Sequence, residues 1–283
     1  MRGSVGMEKL KQFFTSSPDL KIRALSSIFI VLIVIGGIIL GGIYWSAIVI
    51  LIAMMSLHEF YKLQAERVRT SQTLMLLSGL FLLLGTALGF MNVSVMLCSI
   101  SAVAFIALFL EVLKHQVSGE SDAVASMGTT VAGIAYVVLP WSFMILIRSR
   151  ELGAMFLTTL FLCTWSCDVA AYFVGSHLGK NLLCSRVSPH KTWEGFFGGA
   201  AASLMCGGLM ALIFSFPPIP LLLMGLICGI AGQLGDLGES VMKREAGVKD
   251  TGALIPGHGG LLDRFDSILV NGTIAFVIFE LVG

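Results

Sequence analysis

The chain has 283 residues, of which 56% are hydrophobic and only 12% charged, and its mean hydropathy is +0.92. A soluble domain of this size has too little interior to hide that much apolar surface, and a net charge of +1 provides no basic field for nucleic acid. Apolar runs of about 20 residues recur without period-two alternation, which excludes a transmembrane barrel and indicates an all-α, polytopic helical membrane protein.

The pattern predicts nine spans, at 24–43, 44–60, 72–90, 92–112, 124–147, 152–176, 194–215, 219–239 and 265–282. The first is too long for a cleavable signal peptide and runs straight into the second, with Gly41–Tyr44 as the hairpin turn. Pro140 should kink or end the fifth span. Small residues, as in Gly37-x₃-Gly41, Gly225-x₃-Gly229 and the run from Gly198 to Ala202, should let helices approach closely. That approach is read as intramolecular, with a homodimer contact as the alternative. The six cysteines form no CxxC pair and read as small buried hydrophobes.

Basic residues orient the chain. With the N-terminus in the cytoplasm, sixteen of eighteen Lys and Arg fall inside and only Arg148 and Arg150 outside, so N-in, C-out is expected. The organisation is then a cytoplasmic segment 1–23, transmembrane helices over 24–150, and a catalytic transmembrane region 151–283 with cytoplasmic loops 177–193 and 240–264.

Chemistry concentrates in that last region. "HEFYK" at 58–62 has Lys62 where a zinc protease needs its second His, and "GSHLGK" at 175–180 is one residue short of a phosphate-binding loop. Asp168 sits deep in the sixth span, where a charge is costly and usually functional, and shares a face with Tyr172 and Gly175. "SPHKTWEG" suggests Ser188 as an N-cap with Pro189 behind it. Lys191 would then lie in the first turn and make a natural anion site, with Thr192 beside it. Gln233, Asp236, Ser240 and Lys243 draw one polar stripe down a helix face. "KREAGVKDTGALIPGHGGLLDRFDS", 243–267, packs eight charged residues and five glycines into a loop before the last span. Asp263 and Asp266, at i and i+3, repel each other and call for a cation. With Asp236 they form an oxygen-rich set suited to Mg²⁺, which takes one or two carboxylates and leaves places for phosphate. Arg244, Lys249 and Arg264 supply positive charge around them. His258 is a candidate phosphate donor or a turn-stabilising residue, and Gly259 and Gly260 bring bare N–H groups to phosphate oxygens.

The run Ser240-x-Met242-Lys243-Arg244-x₄-Lys249-Asp250-x-Gly252-x₂-Ile255-Pro256-x-His258-Gly259-Gly260-Leu261-x-Asp263-Arg264-Phe265-Asp266 resembles the signature of phosphatidate cytidylyltransferases, the CDP-diacylglycerol synthases. Asp168-x₂-Ala171-Tyr172-x₂-Gly175 and Ser188-Pro189-x-Lys191-Thr192-x-Glu194-Gly195 are similar to that family too. The resemblance covers roughly the last 120 residues. It implies CTP and phosphatidic acid as substrates, CDP-diacylglycerol and pyrophosphate as products, Mg²⁺ with room for a second cation, and an active site on the cytoplasmic side of a bacterial-type inner membrane. It implies metal binding by Asp236, Asp263 and Asp266. Lys191, Lys243, Arg264 and Lys249 would balance the phosphates, and Ser188, Thr192 and Ser240 would orient oxygens. A CTP-dependent lipid kinase and a membrane transporter are the alternatives. The transporter reading fits poorly, because the polar residues cluster at the expected cytoplasmic ends.

Overall fold

A computed structural model describes residues 18–252 and 259–282. Helix α1 (Pro18–Leu40) breaks at Gly41, whose φ of 63° suits glycine, and α2 (Gly42–Ala65) follows at once. The expected turn is there, with Gly37 packed against Trp45 and Ile48. Ser71 caps α3 (Gln72–Ala87) by accepting from Leu74 N at 3.2 Å, and Asn92 caps α4 (Val93–Ser118) by accepting from Val95 N at 2.9 Å.

The fifth predicted span is one continuous helical rod with a change of winding. Helix α5 (Ala123–Gly133) passes into a π turn (Ile134–Val138) and then α6 (Leu139–Arg148). Pro140 lies just past this turn. The wider winding fits a residue that has no N–H to return to the previous turn, so the rod goes on where a break was expected. Helix α7 (Gly153–Leu178) leads to a small antiparallel hairpin, β1 (Leu182–Cys184) and β2 (Ser188–Thr192), pairing Leu182 with Thr192 and Cys184 with Ser188. Helices α8 (Trp193–Ile213), α9 (Pro218–Glu245) and α10 (Leu262–Val282) complete the chain.

Among the described residues, six helical segments are long and apolar enough to cross a membrane: Gly42–Ala65, Val93–Ser118, Ala123–Arg148, Gly153–Leu178, Trp193–Ile213 and Pro218–Glu245. Two shorter apolar helices, Leu25–Leu40 and Gln72–Ala87, lie beside them. Phe105, Phe109, Leu209 and Leu212 are exposed on the outside, as suits a lipid-facing surface.

Two kinds of packing hold the bundle. Around α2, α6 and α10 the core is built of large side chains. Trp45, Trp141 and Phe265 are buried, and the Trp141 and Phe265 rings meet edge to face at 5.2 Å. Among α7, α8 and α9 the backbones themselves touch. A Cβ on Gly199 would come within 2.9 Å of Cys167 O, and one on Gly229 within 2.8 Å of the Ala200 Cα. The glycine clusters are thus spent within the chain. Cys163, Cys167 and Cys228 are buried and unbridged, as expected, whereas Cys184 and Cys206 are half-buried and Cys98, on the outer face of α4, is exposed.

Candidate active site

Four structural units converge on a cavity of about 820 Å³. Helix α7 contributes Asp168 and Tyr172, and the hairpin with the start of α8 contributes Lys191 and Thr192. Helix α9 contributes Asp236 and Lys243, and α10 contributes Asp263, Arg264 and Asp266. The i, i+4 spacing on α7 puts Asp168 and Tyr172 on one wall. Gly195 lets α8 close on α7, since a Cβ there would come within 2.8 Å of Ala171 O.

Ion pairs link the elements that line the cavity. Lys191 pairs with Asp236 across the gap between β2 and α9. The Lys243 ammonium, largely buried, bridges Glu239 at 2.9 Å and Asp263 at 2.7 Å. The other Asp263 oxygen accepts from Thr251 N (2.9 Å), Thr251 Oγ1 (3.0 Å) and Gly260 N (2.8 Å). This is the reach-back of a first-turn carboxylate to the N–H groups preceding its helix. Asp263 is therefore fully engaged in holding Thr251, Gly260 and Lys243. Asp266 is buried and accepts from its own neighbour, Ser267 N, at 2.6 Å. Arg264 is exposed to the cavity.

Some expected residues have other duties. Ser188 is not an N-cap. It lies in β2, and the cap of α8 is Thr192, whose Oγ1 accepts from Gly195 N at 3.2 Å. The reason is the strand pairing, which keeps 188–192 extended and delays the helix to Trp193. Gln233 is buried and donates to Phe196 O (3.0 Å) and Gly229 O (2.6 Å), tying α9 to α8. Ser240 lies off the cavity wall. Arg244 donates from Nε to Val187 O at 3.4 Å, linking α9 to the hairpin, and Lys249 is exposed beyond the end of α9. Gly259, at φ 82°, and Gly260 stand against Asp263 and Thr251. His258 lies outside the described residues.

Three residues were given no role by the sequence reading. Glu239 is fully buried and lies against the Asp266 carboxyl, and its Oε1 receives no bond from an N–H or hydroxyl donor among the described residues. It falls one turn before Lys243, so the i, i+4 spacing was the available signal. Glu194 accepts from Lys180 N (3.1 Å), Asn181 N (3.2 Å) and Asn181 Nδ2 (2.7 Å), and so pins the start of the hairpin beside the cavity. Glu59 belongs to a helix distant in sequence, and no spacing connects it to the site.

Among the described residues, no three His, Cys, Asp or Glu side chains are already gathered as a metal cage. The donor set still fits Mg²⁺. That ion needs only one or two carboxylates and completes its shell with phosphate and water. Asp236, Asp266 and Glu239 Oε1 offer hard oxygens of that kind.

The sequence pattern of the Cytidylyltransferase family matches residues 21–282. Among similar proteins, the phosphatidate cytidylyltransferase of Staphylococcus haemolyticus (strain JCSC1435) is 34% identical over 254 residues, covering 88% of this chain and 95% of the relative. That of Synechocystis sp. (strain ATCC 27184 / PCC 6803 / Kazusa) is 30% identical over 285 residues, covering 90% and 94%. The phosphatidate cytidylyltransferase of Staphylococcus saprophyticus subsp. saprophyticus is 34% identical over 253 residues, covering 88% and 95%.

Proposed function

The chain belongs to the cytidylyltransferase family, and on that premise we propose how its cavity moves a cytidylyl group from CTP to phosphatidic acid, giving CDP-diacylglycerol and pyrophosphate. The observation that carries this reading is the joining of three cations, Lys191, Lys243 and Arg264, with Asp236 and Asp266 in one cavity between apolar helices.

A phosphate oxygen of phosphatidic acid attacks the α-phosphorus of CTP. One P–O bond forms there as the bond to the β-phosphate bridge breaks, and pyrophosphate leaves. The nucleophile is already an anion near neutral pH, so the protein's work is to align two anions and cancel their repulsion. Lys191 exchanges the Asp236 carboxylate for a phosphate oxygen when substrate enters, which frees that carboxylate. Arg264 faces the departing pyrophosphate with a fork of donors. Asp236 and Asp266, with Glu239 behind them, would hold Mg²⁺, which supplies charge neutralisation at the transferring phosphate when bound. Lys243 completes the positive wall while Asp263 and Glu239 hold its ammonium in place. Tyr172 and Asp168 border the side of the cavity that the nucleoside or the lipid head group occupies.

In the membrane we assign nine crossings, adding α1, α3 and α10 to the six long apolar segments. Three of the charges on α10, Asp263, Arg264 and Asp266, sit at its start beside the cavity, and the fourth, Glu280, lies at its opposite end. The Lys and Arg distribution supports a cytoplasmic cavity, where CTP is available. The reaction is tested with purified protein in detergent, phosphatidic acid, Mg²⁺ and CTP labelled at the α-phosphate. The label enters the lipid phase. A lipid that instead takes label from γ-labelled CTP overturns the reading in favour of a kinase. A cysteine placed at 247 or 249, in a background lacking native cysteines, reacts with a membrane-impermeant thiol reagent only from the cytoplasmic side. Labelling of intact cells from outside inverts the topology.

A further inference from the structure

Glu59 lies near the end of α2, within the "HEFYK" segment that has no place in a zinc site. It is 2% exposed, so its carboxylate has left water almost entirely. Among the described residues no Lys or Arg stands within ion-pair distance of it. A buried carboxylate in that position persists only if hydrogen bonds replace its hydration. They do, and all come from one place. Leu261 N donates to Oε1 at 3.0 Å and Leu262 N donates to Oε2 at 2.7 Å, while the Thr251 hydroxyl, whose one proton is nearer Asp263, lies 3.3 Å from Oε2. Leu261 and Leu262 begin α10, and their N–H groups have no partner inside their own helix. Glu59 therefore caps α10 from about two hundred residues away in sequence.

Two glycines make room for it. A Cβ on Gly252 would fall within 2.6 Å of Glu59 Oε1, and one on Gly260 within 2.6 Å of Oε2. Thr251 closes the arrangement, since its hydroxyl lies within reach of both Glu59 and Asp263. The start of α10 thus sits between two carboxylates. Asp263, from its own first turn, faces the cavity, and Glu59, from the other half of the molecule, stands behind it.

We propose that Glu59 is a positioning residue for cytidylyl transfer: its carboxylate sets the start of α10 so that Arg264 and Asp266 face the cavity in which the phosphates react and Asp263 keeps its hold on Lys243. The proposal rests on the transfer reading above for its effect on rate, but the capping itself does not depend on it. Displacing these groups by about 1 Å costs on the order of 100-fold in rate with little change in ground-state binding.

Glu59→Gln is the sharp variant. It keeps the shape but presents one acceptor oxygen where two N–H groups converge, and its NH₂ faces a donor. Expected are a fall in kcat of about 10- to 100-fold, a KM for CTP within about threefold of wild type, and faster amide hydrogen exchange at Leu261 and Leu262. The apparent melting midpoint and detergent elution stay those of wild type. Glu59→Asp, which keeps the charge, recovers part of kcat. Glu66→Gln, on the exposed end of the same helix, changes none of these. Wild-type kcat and exchange in Glu59→Gln overturn the proposal. So does a loss of activity that only matches a loss of folded protein. If wild type itself does not convert CTP and phosphatidic acid, the reaction assignment fails, and the exchange measurement still decides whether Glu59 holds α10.

Discussion

Between Gly42 and Arg148 the close approaches at glycines are to side chains, and between Gly153 and Glu245 they are mostly to backbone. A Cβ on Gly79 would meet Leu57 Cδ2 at 2.6 Å, and one on Gly133 would meet Met75 and Phe60 side-chain atoms at 3.1 Å. A Cβ on Gly225 would instead meet Ser203 O at 2.5 Å, and one on Gly229 the Ala200 Cα at 2.8 Å. A methionine or leucine can rotate away, but a helix backbone cannot. The contrast teaches where rigidity is needed. Asp168, Lys191 and Asp236 stand on helices locked backbone to backbone or on the hairpin joined to them, so their separations are set by the packing. The first half supplies adjustable bulk and, through Glu59, one fixed contact to the site.

The strongest way to break this contrast is to remove charge from the rigid half. Asp266→Asn is expected to lower turnover by at least about 1000-fold, because it removes a carboxylate from the set proposed to hold Mg²⁺. Asp263→Asn is expected to be as damaging for a different reason, since it releases Lys243, Thr251 and Gly260 together. Transfer of α-label from CTP to lipid, measured across a Mg²⁺ titration, checks both. Near-normal activity of either variant at saturating Mg²⁺ removes that residue from the site.

Next in size is a matched pair of lysines. Lys243→Met is expected to cut kcat/KM by at least about 30-fold, from a unit charge near two approaching anions in a partly screened cavity. Lys243→Arg recovers only part, because a planar fork cannot sit between Glu239 and Asp263 as a compact ammonium does. Lys62→Met, exposed at the end of α2, should leave kcat/KM within about threefold. Equal behaviour of Lys243→Met and Lys62→Met would reduce Lys243 to a topology-setting charge.

The smallest effect sharpens the packing side of the comparison. Gly229→Ala should destabilise by about 1–3 kcal/mol, because the methyl overpacks a backbone contact. Gly128→Ala, on α5 with open space where its Cβ would lie, should be neutral or stabilising by up to about 1 kcal/mol. Apparent melting midpoints in one detergent compare them. A Gly229→Ala midpoint at or above that of Gly128→Ala would mean that α8 and α9 are not locked at their backbones.

Much of the molecule was legible before any coordinates. Each predicted span corresponds to a helix or helical rod, because a lipid-crossing segment must satisfy its backbone locally and so declares itself in a local run of apolar residues. The cavity residues on α7, α9 and α10 were legible for a related reason: Asp168 and Tyr172, Asp236 and Lys243, and Asp263 and Asp266 each lie on a single helix, where spacing states which residues share a face. The family signature was legible as a contiguous run. Ser188 misled because a Ser-Pro pair signals a helix start only if the chain turns helical there, and pairing with Leu182–Cys184 holds it extended.

Helix existence and the shared face of Asp236 and Lys243 were thus determined by sequence alone, through local periodicity and the cost of exposing polar backbone to lipid, although Ser240 of the same expected stripe lies off the cavity. Which carboxylate does what was decided only by tertiary structure. Asp263 looks like a metal ligand in the sequence. In the fold it is bound by Lys243, Thr251 and Gly260, while Glu239, given no role by the sequence reading, lies buried against Asp266. Glu59 carries no local sign of its role, because its partners at 251, 261 and 262 reach it only through the packing of α2 against α10. The physical reason is range: periodicity and helix propensity act over a few residues, whereas a hydrogen bond is indifferent to sequence separation and needs only that folding bring donor and acceptor within about 3 Å.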